Sequence, residues 1–217
     1  MSLEQGRYIV VEGLEGAGKS TALKTIKSYL SSHVKDLVLT REPGGTRVGE
    51  VARELIKEIN PEQPLDPRTE LLLLYAARIQ LMELVIKPSL SKGAWVLADR
   101  YELSTFAYQG GGRKMDETFI SQLSSFSMQG FKPDLVIFLD VSPKRGLKRA
   151  QSRGTTDRIE QEALSFFQDV YHRYHEHLKT MDNVVMIDAG KPLKTVQNLI
   201  RNALDNYMTH HADIIRG

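Results

Sequence analysis

The sequence predicts an α/β fold in which a five-stranded parallel sheet is covered by helices on both faces. Three observations lead there. Five short runs are rich in β-branched and apolar residues, and they are nearly continuous rather than alternating, which suits strands buried on both faces. The segments between them carry apolar residues at helical spacing, and strands alternating with helices imply a parallel sheet covered on both sides. Glycine clusters at 44–45 and 110–112 each follow a strand by several residues, which places them in loops on the carboxyl edge of the sheet, where open α/β folds bind ligands.

Taken in order, the strands are "RYIVVE" near the start, "LVLT" at 37–40, "AWVLAD" at 94–99, "LVIFLD" at 135–140 and "VVMID" at 184–188. After the first strand comes a glycine-rich turn and a helical "ALKTIKSYL". The stretch "ELLLLYAARIQLMELVIKPSL", 70–90, stays apolar through two or more faces and reads as a central helix. From Lys148, "KRAQSRGTTDRIEQEA" turns basic and polar; it reads as two helices joined by a flexible loop, a lid over about 148–160. No repeat, low-complexity stretch or Pro/Gly linker divides the chain, so residues 1–217 are expected to form one domain.

Composition narrows the function classes. With 29 basic and 27 acidic side chains the net charge is only +2, which provides no strong footprint for a nucleic-acid polymer. The chain has no cysteine, so disulfides and thiolate metal sites are excluded. The first residues lack the basic and apolar regions of a secretory signal, and no apolar run approaches the roughly 18 residues a membrane-spanning helix needs. The expectation is a soluble, cytoplasmic protein.

The sharpest motif is "GLEGAGKST". Gly13, Gly18, Lys19 and Ser20 satisfy G-x-x-x-x-G-K-[ST] between a predicted strand and a predicted helix. Glycines let the chain curl so that successive N–H groups face phosphate oxygens, and the helix N-terminus adds partial positive charge. Gly13, Leu14, Glu15, Gly16, Ala17, Gly18, Lys19, Ser20 and Thr21 are therefore the expected ATP-binding loop. Lys19 is expected on the β and γ phosphates and Ser20 on Mg²⁺.

The loop names the donor but not the acceptor. No N-K-x-D segment is present to read guanine, and the modest length and charge disfavour a nucleic-acid motor. A kinase for a small acceptor fits better. If the acceptor is itself a phosphate, its oxygen is already anionic, so alignment and charge neutralisation replace a general base. Arg100, after Asp99 at a strand end, would project over the sheet edge beside the loop, while Arg153 and Arg158 bracket the lid. Each taken alone could equally be an ordinary surface ion pair or a solvated turn.

In order and at these spacings, "YIVVEGLEGAGKST", "TREPGGT", "DRYELSTFAYQGGGR", "PDLVIFLDV" and "RGTTDRIE" resemble the bacterial thymidylate kinase family along nearly the whole chain. The resemblance implies a nucleoside-monophosphate-kinase variant of the P-loop fold with three layers and a mobile lid, a homodimer, and transfer of the ATP γ-phosphoryl group to dTMP. It also implies residue roles. Asp99 lies near Mg²⁺ and the phosphates, Arg100 clamps the acceptor phosphate, and Glu15 faces the acceptor side. Arg78 donates to the thymine carbonyl and Thr105 faces the N3 edge. Tyr108 and Gln109 lie beside the sugar, where bulk disfavours a ribose 2′-hydroxyl, and Pro43 walls the 5-methyl group. Some relatives carry an arginine directly after the loop acid; here Gly16 stands there, and Arg153 resembles the subtype that supplies its arginine from the lid.

One departure concerns the base. Many relatives place a phenylalanine one helical turn before the arginine on the long helix, stacked on thymine; this chain has Leu74. Leucine covers the ring by dispersion but lacks the aromatic quadrupole, a difference of roughly 0.5–1.5 kcal/mol. Asp140 reads as structural, and His172, His175 and His177 in "YHRYHEH" lack metal-ligand spacing and are expected on an exposed helix face. Two competing readings remain at this point: a kinase for another nucleoside monophosphate, and a nucleotide-binding module without turnover.

Overall fold

The sheet order explains why one strand is buried throughout and others are not. In the computed structural model, which describes residues 6–152, 154 and 157–216 (210–216 by backbone only), five parallel strands lie in the order β2-β3-β1-β4-β5. They are β1 (Tyr8–Gly13), β2 (Leu37–Arg41), β3 (Trp95–Asp99), β4 (Leu135–Asp140) and β5 (Val184–Asp188). In the central β1 every residue is buried, with Ile9 paired to Leu97 of β3 and Leu135 of β4. The edge strands β2 and β5 are partly open, and Leu39 and Met186 are exposed there.

Alternation along β1 feeds two cores. Ile9 and Val11 join Ile26, Leu30, Phe167, Val170, Tyr174 and Leu204 on one face. These come from β1 together with α1 (Lys19–Leu30), α8 (Leu164–Leu178) and α9 (Leu193–Arg216). Tyr8 and Val10 join Leu71, Tyr75, Leu81, Ile86, Ile120 and Met128 on the other. That second face is built by α3 (Pro67–Leu81), by the helical turns that follow it and by α6 (Glu117–Met128). The three-layer α/β arrangement follows from these two apolar faces.

Three local details differ from the sequence reading. The helix expected over 70–90 is α3, a π-helical stretch at Met82–Ile86 and α4 (Lys87–Ser91). Pro88 has no N–H to continue the ladder, and just before it the Lys87 N–H bonds the carbonyl of Met82 rather than of Glu83. Its outer face is also open, with Leu72 and Leu84 exposed. The glycines at 110–112 are not in a loop. After the short α5 (Glu102–Thr105) they belong to a π-helical turn, Phe106–Gly112. A Cβ on Gly112 would lie 2.4 Å from the Phe166 ring and one on Gly111 2.7 Å from the Arg173 Cβ, so glycine allows this turn to press onto α8. Finally, the histidine-rich helix is only partly exposed. Tyr174 is fully buried, while His175 and His177 are half-buried beside Asp140 (3.4 Å) and Glu117 (2.8 Å).

α2 (Arg47–Lys57) and α7 (Pro143–Gln151) complete the elements that frame the carboxyl edge. The Thr46 side chain caps α2 by accepting from the Gly49 N–H. The glycines at 44–45 do lie in a loop, between β2 and α2.

Candidate active site

β1 delivers the chain to the carboxyl edge and the phosphate loop turns there. Gly13 (φ 141°), Gly16 (φ 69°) and Gly18 (φ 93°) take backbone conformations that L side chains rarely adopt. Gly16 also sits against α7, where an added Cβ would stand 1.9 Å from the Gly146 carbonyl oxygen. Leu14 and Ala17 point into the core and anchor the loop from below. Gly18 caps α1, and Thr21 N and Ala22 N both bond its carbonyl.

Lys19 folds back over the loop, its Nζ donating to the carbonyls of Gly13 and Leu14, each at 3.0 Å. Burial, with the nearby Arg100 charge adding to it, lowers the Lys19 ammonium to about 8. An anion at this position would reverse that shift. Ser20 and Thr21 are exposed in the first turn of α1, whose N-terminus carries partial positive charge.

At the end of β3, Asp99 and Arg100 face the same opening. The Asp99 Oδ1 is buried without a partner. Arg100 has φ 72°, an uncommon backbone for a non-glycine residue. Its Nη2 donates to Glu15 Oε1 (2.6 Å) and Tyr108 OH (3.2 Å). Its Nη1 donates to the Gly13 carbonyl, Ser104 Oγ and Tyr174 OH at 3.0–3.2 Å. The guanidinium lies 4.9 Å from the Tyr108 ring centroid, and the Tyr108 hydroxyl donates to Glu15 Oε2.

Beneath this cluster lies Glu12, fully buried within β1. Its carboxylate accepts from Tyr101 N (2.9 Å), Ser104 N (3.3 Å), Ser104 Oγ (2.7 Å) and Tyr174 OH (3.0 Å). The residue was not singled out in the sequence. Its signal is a lone carboxylate inside a six-residue apolar strand, a position that is costly unless fully hydrogen-bonded.

Farther along the edge a second pocket forms around Arg78. Only 2% exposed, it donates from Nε to Glu42 Oε2 (2.6 Å) and from Nη2 to Thr105 Oγ1 (2.9 Å). Its Nη1 and the Glu42 Oε1 are buried without partners. A buried unpaired donor is costly, so this wall is complementary to a ligand acceptor such as a carbonyl oxygen. Burial pushes the Glu42 carboxyl up to about 7, with Arg78 opposing. Gln109 donates from Nε2 to Glu70 Oε1 (2.5 Å), leaving its own Oε1 unpaired.

These two regions line one cavity of about 770 Å³, within the range that holds a small ligand. Glu15, Gly16, Gly18, Lys19, Ser20, Thr21, Pro43, Leu74, Arg78, Asp99, Arg100, Thr105, Tyr108 and Gln109 all reach it, as do Glu42, Glu70 and Arg149, which the sequence reading did not single out. Gly13, Leu14 and Ala17 shape the loop without lining the cavity. The sequence reading has Arg158 bracket the lid with Arg153 as a charge-neutralising arginine. The structure instead commits its Nε to the Ile56 carbonyl (2.9 Å) and its Nη2 to Glu70, because a buried carboxylate there requires a cation. Arg153 lies outside the described residues.

Among the described residues no group of three or more His, Asp or Glu could enclose a metal ion. The unpaired Asp99 oxygen and the exposed Ser20 hydroxyl fit a different kind of site, one in which phosphate oxygens and water supply most ligands, as Mg²⁺ prefers.

A phosphate loop and an arginine-walled pocket opening into one cavity, on the carboxyl edge of a parallel sheet, are the layout of a P-loop kinase for a small acceptor. The thymidylate kinase family model matches residues 11–200. The chain is 53% identical over 211 residues to the thymidylate kinase of Legionella pneumophila (strain Corby), covering 97% of this chain and all of the relative. It is 46% identical over 212 residues to the thymidylate kinase of Vibrio vulnificus (strain YJ016), with 97% and 100% covered. To the thymidylate kinase of Colwellia psychrerythraea (strain 34H) it is 42% identical over 208 residues, with 96% and 98% covered. The chain belongs to the thymidylate kinase family.

Proposed function

We propose that the protein transfers the γ-phosphoryl group of ATP to dTMP, producing dTDP and ADP for dTTP synthesis. The observation that carries this reading is the buried Arg78, with an unpaired Nη1 donor and Thr105 at its side, in the cavity that also contains the phosphate loop. That wall suits the carbonyl and N3 edge of a pyrimidine. Family membership supports thymine as the base.

In this reading the Gly13–Thr21 loop and Lys19 hold the donor phosphates, and Arg100 holds the acceptor phosphate. A phosphate oxygen of dTMP attacks the γ-phosphorus as the bond to the ADP oxygen breaks, so no proton must be removed first. Glu15 fixes Arg100 from one side and orients the Tyr108 hydroxyl from the other. Pro43, Leu74 and Gln109 wall the nucleoside. Ser20 and Asp99 would hold Mg²⁺, which neutralises phosphate charge when bound. Arg153 would supply a lid cation to the transferring group, while Arg158 acts by positioning.

Family resemblance also supports a homodimer. Val48, Val51 and Leu55 form one exposed apolar face of α2, and exposed Ile59 follows it. A Leu55→Glu variant that changes the mass measured by light scattering supports this face as the contact; an unchanged mass excludes it. No helix among the described residues is long and apolar enough to cross a membrane, and a cytoplasmic location is part of the same proposal.

The deciding experiment is ADP release with ATP and Mg²⁺, comparing dTMP, dUMP, UMP, dCMP and dGMP. Much faster turnover with dTMP is expected. A different preferred monophosphate overturns the base-pocket assignment, and no acceptor-dependent release overturns the kinase reading.

A further inference from the structure

We propose that Glu70 is a positioning residue that ties the segment at 157–162 to the wall of the acceptor pocket, a proposal that rests on the dTMP kinase reading above. Glu70 lies in the first turn of α3 and is fully buried, yet three cationic or amide groups from distant parts of the chain converge on it. Gln109 Nε2 meets Oε1 at 2.5 Å. Arg158 Nη2 donates to Oε2, and Arg113 Nη2 approaches the same oxygen at 3.4 Å. Arg113 in turn pairs with Glu162.

Two consequences follow from the chemistry. A carboxylate is an acceptor only, so the Gln109 amide must present its NH₂ to Glu70, which leaves its carbonyl oxygen as the buried, unpaired end. Glu70 thereby sets which end of the amide is available to a nucleotide. The other carboxylate oxygen holds Arg158, whose backbone N–H and Nε also bond α2 at Lys57 O (3.3 Å) and Ile56 O (2.9 Å). An ion pair between Lys57 and Asp157 (2.7 Å) reinforces the docking. Asp157, Ile159 and Glu160 line the cavity, so holding Arg158 places cavity wall. One buried carboxylate thus links the orientation of a pocket amide to the seating of this segment.

The test compares Glu70→Gln, Arg158→Gln and the double variant with wild type. Glu70→Gln is expected to raise the KM for dTMP about tenfold, the scale of one lost charge-assisted contact, with the KM for ATP within about twofold. The double variant should be no worse than the weaker single, because both remove one link. Glu70→Asp, which keeps the charge, should recover part of the loss. Tryptic cleavage after Arg158 should be slowed by dTMP in wild type and not in Glu70→Gln. Additive effects of the two substitutions, equal rises in both KM values, or undiminished dTMP protection in Glu70→Gln each overturn the proposal. Should Glu70→Gln fail to fold, Arg158→Gln with the partly exposed Arg113→Gln forms an equivalent cycle around the same carboxylate. A wild-type preference for another monophosphate would defeat the functional reading, and the same cycle run with that nucleotide still decides the role of Glu70.

Discussion

The Arg78 guanidinium and the Glu42 carboxylate meet at 2.6 Å, with both side chains almost sealed from water. The two partners are not equivalent. Glu42, raised to about 7 by burial, can become neutral by taking a proton, whereas Arg78 is held firmly charged by Glu42 and Glu102 despite its own burial. Glu42→Ala strands a buried cation and is expected to cost about 3–5 kcal/mol. Arg78→Met should cost less at pH 6 and more at pH 8. In that variant folded Glu42 keeps a proton that the unfolded chain has lost, so stability falls as pH rises through this window. Urea unfolding of both variants at the two pH values checks this, and equal losses for Arg78→Met would sink the argument.

Arg100 uses its planar fork to reach five partners at once. An ammonium cannot reproduce that geometry. Arg100→Lys is expected to lower kcat/KM for dTMP by roughly 10²–10³-fold, the scale of one lost transition-state donor. A drop smaller than tenfold in steady-state assays would mean that charge alone suffices.

Lys19 must be protonated to meet a triphosphate, and burial with Arg100 lowers it to about 8. The charged fraction therefore falls as pH rises through that value. We expect kcat/KM for ATP, which reports the free enzyme, to decline above about pH 8. Lys19→Arg, slower overall, should lack this limb; a wild-type profile flat to pH 9 would contradict the assignment.

Gly146 on α7 never enters the phosphate loop, yet a Cβ on it would lie 2.6 Å from the Glu15 carbonyl oxygen. Gly146→Ala should push the loop, raising the KM for ATP about tenfold and costing about 1–3 kcal/mol of stability, as overpacking does. Calorimetry and kinetics on one variant suffice. Normal ATP affinity with lowered stability would place the adjustment in α7 instead.

Leu74 lines the cavity, at the position where the family resemblance implies an aromatic ring against the base. Leu74→Phe is expected to lower the KM for dTMP by roughly 2–10-fold, equivalent to about 0.5–1.5 kcal/mol. An increase would show that the pocket has closed around leucine.

All five strands and the phosphate loop were legible in the sequence because apolar runs and glycine spacing are local signals. Their lateral order was not, since pairing of β1 with β3 and β4 depends on contacts more than eighty residues apart in the chain. The candidate pocket divides along the same line. Arg100 and Thr105 lie within a recognisable motif, whereas Arg78, on the apolar helix, was reached only through the family resemblance. Glu12, Glu42, Glu70 and Tyr174 were passed over because each matters only through partners brought in by folding. The glycines at 110–112 misled for the opposite reason: they read as turn formers, while α8 required their missing side chains. Arg158 had a residue type suited to phosphate, and only the position of Glu70 reveals where its charge goes.

The central place of β1 sets a clock for the donor site. Bonded along both edges, the strand cannot detach by fraying as β2 or β5 can; its amides exchange with solvent only when the whole sheet comes apart. The phosphate loop therefore starts from the strand that is last to open, and its first residue, Gly13, paired to Leu139 of β4, stays fixed for as long as the sheet lasts.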